Sequence, residues 1–103
     1  GIAEGVETAI AASIRFNLPV WAVISEGGMQ KFRPPAIVKR LIVFGDHDLN
    51  FVGQAAAYSV ARDIERAAQR EKRVIDVEVR IPEKPGNDWA DDMPEMQGEG
   101  IAA

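Results

Sequence analysis

Three carboxylates carry the chemical signal in this chain: Glu4, followed by Gly5, and the pair within Asp46-His47-Asp48. In an extended chain residues i and i+2 point the same way, so Asp46 and Asp48 can converge on one cation while His47 points elsewhere. Oxygen donors of this kind suit a divalent metal such as Mg²⁺, which keeps several waters and takes remaining ligands from substrate phosphates. A D-x-D alone is a weak signal. Its weight here comes from its position after an apolar strand and from a second strand-end acid about forty residues earlier. Like charges so close raise each other's pKa unless a cation offsets them.

Plainer readings stand beside these. Glu4 in a turn leading into a helix can be a solvated acid. Asp46 or Asp48 can cap the helix that follows, because Asp readily accepts from free amide donors. Composition argues against zinc: His47 is the only histidine and there is no cysteine, whereas zinc sites usually take three or four ligands rich in nitrogen or sulfur. Nor is there a Ser-His-acid arrangement for acyl transfer. Glu7 falls in a first helical turn, where it favours the helix dipole.

The elements that position these residues follow from hydrophobic periodicity. Gly1 to Ala3 read as the end of a strand whose earlier residues precede this sequence. Val6, Ala9, Ile10, Ser13 and Ile14 fit one face of a helix ending near Asn17 and Pro19. Val20 to Ile24 is apolar without alternation, as expected of a central strand with Trp21 in the core. Ser25 to Ala36 carries Gly27-Gly28 and Pro34-Pro35 and reads as a long connection with one helical turn around Met29 to Phe32. Leu41 to Phe44 repeats the buried-strand signature. Val52, Ala55, Ala56, Val60, Ile64, Ala67 and Ala68 form the apolar stripe of a helix from Val52 to Glu71. Ile75 to Ile81 alternates strictly, marking an edge strand with one wet face. Helices alternating with buried strands imply an α/β fold with a mainly parallel four-stranded sheet covered by helices. Ligands of such sheets sit beyond the carboxyl ends of the strands, where Glu4, Asp46 and Asp48 all fall.

With 103 residues and a hydrophobic fraction of 47%, the chain is the size of one domain. No apolar run approaches the roughly 18 residues that span a bilayer, and a cytoplasmic location is the expectation. A net charge of −4 argues against a stand-alone DNA clamp, since phosphate-gripping surfaces are normally basic. Lys31, Arg33, Lys39, Arg40 and Lys84 are scattered and read as surface charge. Trp89 reads as packing its own loop rather than stacking a base, and Tyr58, midway along a helix, does not suggest strand passage.

The ordered set Ala3-Glu4-Gly5-Val6-Glu7-Thr8-Ala9, Val43-Phe44-Gly45-Asp46-His47-Asp48 and Gly53-Gln54-Ala55-Ala56-Ala57 resembles the Toprim domain of primases, topoisomerases and some nucleases. It is most similar to that of phage and plasmid primase-helicase proteins, where a late D-W-x-D, here Asp88-Trp89-Ala90-Asp91, recurs. The resemblance implies a Rossmann-like sheet, a domain over residues 1–92 and a tail over 93–103. It implies Glu4 as general acid or base or metal ligand, Asp46 and Asp48 as the metal pair, and Asp88 as an auxiliary acid. Mg²⁺, with Mn²⁺ as a substitute, is the implied cofactor. Nucleotide triphosphates and DNA are the implied partners, with DNA grip supplied by other domains and no membrane involved.

The expected activity is nucleotidyl transfer in primer synthesis. Two rivals are a metal-dependent nuclease using the same carboxylates and a binding module that keeps the fold without catalysis. A receiver-like domain fits less well, because it expects paired acids after the first strand and a lysine at a late strand end.

Overall fold

The computed structural model describes residues 1–23, 26–86 and 89. Seven elements run in the order β1 (Ile2–Ala3), α1 (Val6–Phe16), β2 (Trp21–Ala22), α2 (Glu26–Lys31), β3 (Arg40–Phe44), α3 (Val52–Arg70) and β4 (Asp76–Arg80). All neighbouring strand pairs are parallel, in the order β2-β1-β3-β4. The α/β architecture expected from alternation is the one observed. Parallel pairing requires crossovers, and α1 and α3 supply two of them.

Side chains alternate across the sheet and divide the core in two. Ile2, Leu41 and Val43 face Met29, Ala57, Val60 and Ile64, while Ala3, Ile42 and Phe44 face Ala9, Ala11, Ala12 and Trp89. Helices α2 and α3 thus cover one face and α1 the other. Phe44 anchors the α1 side: Phe16 stacks on it at 5.3 Å between centroids, and Trp89 meets it edge-on at 5.7 Å. Burying such a side chain contributes about 1.5–3 kcal/mol. Trp89 therefore belongs to the core and not merely to its own loop, and Arg15 lies over its ring at 5.2 Å.

Helix ends follow their capping chemistry. Asn17 ends α1 in the left-handed region (φ 52°), where its backbone N–H donates to the Ser13 carbonyl. Beyond α3, Arg73 holds the sheet's approach in place: its guanidinium donates to the carbonyls of Pro34 (2.6 Å), Pro35 and Val38 (2.7 Å), all in the segment that feeds β3.

Three expectations are corrected. β2 lies at an edge, not in the centre, and Trp21 is 46% exposed, tilted against Phe32 at 5.5 Å rather than sunk in the core. α1 buries Thr8, Ala9, Ala11 and Ala12, while Val6, Ile10 and Ile14 stand exposed. The alanine face lets the helix approach a sheet already filled by Phe44 and Ile42, which the larger aliphatics would not. At the start of α3, Ala57 rather than Val52 or Ala55 turns inward.

Candidate metal centre

β1 and β3 are adjacent, with Ala3 paired to Phe44, so the chain leaves both strands side by side at the carboxyl edge of the sheet. Glu4 is the first residue past β1 and Asp46 the second past β3. The topology thus brings together two acids far apart in sequence. Both line one small pocket with Thr8, Met29, Gly45 and Gly53. Glu4 is exposed and Asp46 partly buried.

The two loops that carry these acids are built differently. Gly5 caps α1 with ordinary extended angles (φ −109°), and a Cβ there would meet nothing within 4 Å. Space is therefore open beside Gly5.

The second loop is packed and tied. A Cβ on Gly45 would lie 2.7 Å from the Ala57 Cβ, and one on Gly53 would lie 2.8 Å from the Asp46 carbonyl. The Gly45 amide donates to the Arg80 carbonyl at 3.0 Å. His47 turns away from the acids, with Nδ1 2.6 Å from the Pro82 carbonyl. Only a protonated nitrogen can donate there, so Nδ1 carries the hydrogen. The Gly86 amide donates in turn to the His47 carbonyl. This histidine ties the loop to the segment after β4.

Asp48 does what a capping acid does. Its Oδ2 accepts from the Gly53 amide at 2.8 Å, and its carbonyl accepts from Gln54 Nε2 at 3.0 Å. That amide is one of the α3 donors with no partner inside the helix. Residues 45–48 form no strand, so the i, i+2 rule does not set the directions of Asp46 and Asp48. Among the described residues no three acidic or histidine side chains stand together as a metal-binding group. Asp88 lies outside the described residues.

A protein-family model for the Toprim domain matches residues 1–99, nearly the whole chain. The chain belongs to the Toprim domain family. No curated protein and no solved structure matches it. Toprim domains occur in primases, nucleases and topoisomerases and bind divalent metal, typically Mg²⁺. The donor chemistry of the pocket fits such an ion: carboxylates are hard oxygen ligands, and one or two of them suffice when substrate phosphates complete the shell. Among the described residues, no helix of this Toprim domain is long and apolar enough to cross a membrane.

The capping alternative open to the D-x-D pair is the one that Asp48 fulfils. The signals were present: Gly53 opens a helix and Asp48 precedes it by five residues, a spacing at which a carboxylate can reach back to a first-turn amide.

Proposed function

We propose that this Toprim domain carries out Mg²⁺-dependent nucleotidyl transfer in primer synthesis, as the catalytic domain of a DNA primase or primase-helicase. The observation that carries the reading is the shared pocket of Glu4 and Asp46 at the carboxyl ends of two adjacent parallel strands. In this reading Glu4, Asp46 and Asp48 would hold the metal, Asp48 being the one whose Oδ2 also accepts from the Gly53 amide. Bound there, Mg²⁺ would supply neutralisation of charge on the phosphoryl oxygens and orientation of the triphosphate.

The chain's own part is positioning and proton movement. Glu4, which is exposed and lines the pocket, would accept the proton of a primer 3′-hydroxyl at a carboxylate oxygen. The space beside Gly5 is open, and a phosphate drawn to the start of α1 would meet no side chain at that residue. Nucleotide triphosphates and DNA are the proposed partners; with the net charge at −4, most of the grip on the DNA phosphates falls to other domains.

Two measurements test this. Mn²⁺ titration followed by calorimetry should saturate in the native chain and weaken at least tenfold in Asp46→Asn and Glu4→Gln, with the fold retained by circular dichroism; equal binding in both variants rejects the site. Incubation with single-stranded template, nucleotide triphosphates and Mg²⁺ should yield new oligonucleotide, lost in Glu4→Gln, Asp46→Asn and Asp48→Asn. Shortened template instead means hydrolysis.

A further inference from the structure

The turn between Asp48 and α3 displays three large apolar side chains to solvent: Leu49 is 79% exposed, Phe51 71% and Val52 54%. Phe51 is also in the left-handed region, at φ 66° and ψ 11°. Bulky L-residues rarely adopt it, because Cβ crowds the following carbonyl. Two other non-glycine residues with positive φ, Asn17 and Lys72, end helices, where this conformation is a normal terminating device. Phe51 precedes a helix. It bears the conformational cost without burial in return, at a place where glycine or asparagine would fit freely.

The turn is held by its backbone and polar groups rather than by these side chains. The Phe51 amide donates to the Asp48 carbonyl (3.3 Å), the Val52 amide to Asn50 Oδ1 (3.3 Å), and the Ala55 amide to the Phe51 carbonyl (2.9 Å). With Gly53 and Gln54 also bound to Asp48, the result is a fixed knuckle that points an aromatic ring outward. An open groove at its foot is lined by Asp48, Leu49, Asn50, Val52 and Gly86, and the turn bearing Gly86 also carries exposed Lys84.

The geometry points to a base-stacking platform: Phe51, flanked by Leu49 and Val52, receives an unpaired base of the single strand whose backbone passes the neighbouring carboxylates. This rests on the reading of the domain as a nucleic-acid enzyme. Size and continuity select the occupant. Three side chains on one turn match the face of a base, whereas a stable protein interface takes about 800 Å² from each partner. Asp48 belongs to both the knuckle and the D-x-D, so a strand on one is within reach of the other.

The test is an NMR titration of the chain with a short oligothymidylate in Mg²⁺ buffer. The Phe51 ring protons should move upfield and saturate. Phe51→Ala should bind roughly 5- to 150-fold more weakly, the usual loss of one stacked base, and Phe51→Trp should bind at least as well as the native chain. Phe51→Gly should raise the unfolding temperature while weakening binding, which separates the platform from a role in folding. Unchanged affinity in Phe51→Ala, no oligonucleotide binding by the native chain, or concentration-dependent dimers abolished by Phe51→Ala would each overturn the proposal. Mn²⁺ reports the metal reading separately through broadening of the Glu4 and Asp46 resonances. Broadening without oligonucleotide binding sinks the platform alone; binding with Phe51 shifts but no broadening supports the platform and sinks the metal site.

Discussion

The loops after β1 and β3 meet at one pocket, yet they are opposites in construction. The first is a bare junction: Glu4 is exposed, and Gly5 has nothing near the position of a Cβ. The second is closed from within, with Gly45 and Gly53 pressed against neighbours, His47 bonded to Pro82 and Asp48 bonded to Gly53. A site that must hold one group still while admitting another needs both kinds. The tied loop fixes where Asp46 sits before any ligand arrives, which is the preorganisation that positioning catalysis relies on. The open junction leaves the volume that a substrate can fill.

The largest effect that can break this contrast is a single methyl group. Gly45→Ala places a Cβ 2.7 Å from that of Ala57, an atom fixed to the backbone of α3, and Gly53→Ala meets the Asp46 carbonyl at 2.8 Å. Neither neighbour is the end of a flexible side chain. Each substitution should therefore cost about 1–3 kcal/mol by urea denaturation, as overpacking does. Gly5→Ala should cost less than about 1 kcal/mol, the range of N-cap preferences. Equal losses at all three positions would erase the distinction between the loops. If Gly5→Ala folds normally but binds nucleotide poorly, the open space belongs to the ligand.

A smaller effect separates the two tasks of the D-x-D. Asp48→Ala removes the acceptor of the Gly53 amide and should destabilise by about 1 kcal/mol, whereas the effect read for Asp46→Asn is a loss of metal affinity. His47→Ala removes the link to Pro82 and should cost about 1 kcal/mol, the net worth of a typical hydrogen bond, with Mn²⁺ affinity unchanged. Loss of metal binding in His47→Ala would make it a ligand after all.

How far the sequence reads through to this arrangement depends on what its patterns report. Leu41 to Phe44 and Ile75 to Ile81 were legible as a buried strand and an edge strand, because burial of both faces and of one face leave different periodicities. Val20 to Ala22 misled for the same reason. Its side chains do have layers above and below, Val20 and Ala22 on the α1 side and Trp21 against Phe32, but an apolar run reports covered faces and says nothing about an unpaired edge. The place of Glu4 and Asp46 at strand ends was legible; the adjacency of β1 and β3 was not, since it depends on strand order and not on local pattern. For Asp48 the ambiguity is chemical. The same carboxylate oxygen serves a helix amide or a cation, and only geometry tells which it has taken.

The subtlest contrast lies within α1, where side-chain size and burial part company. Val6, Ile10 and Ile14 recur at helical spacing and are the natural core face by hydropathy, yet all three are about half exposed. Ala9, Ala11 and Ala12 are buried instead, against a sheet face occupied by Phe44 and Ile42. Helix-to-sheet distance decides this: with bulky residues on the sheet, the facing helix must be lined with small ones to keep interior packing dense. Ala12→Leu should then cost about 1–3 kcal/mol by overpacking. Ile10→Lys should change stability by less than about 0.5 kcal/mol, the usual bound for a surface position. A loss of several kcal/mol in Ile10→Lys would mean that the aliphatic stripe faces inward and that α1 is rotated about its axis, carrying Thr8 away from the pocket it now shares with Glu4 and Asp46.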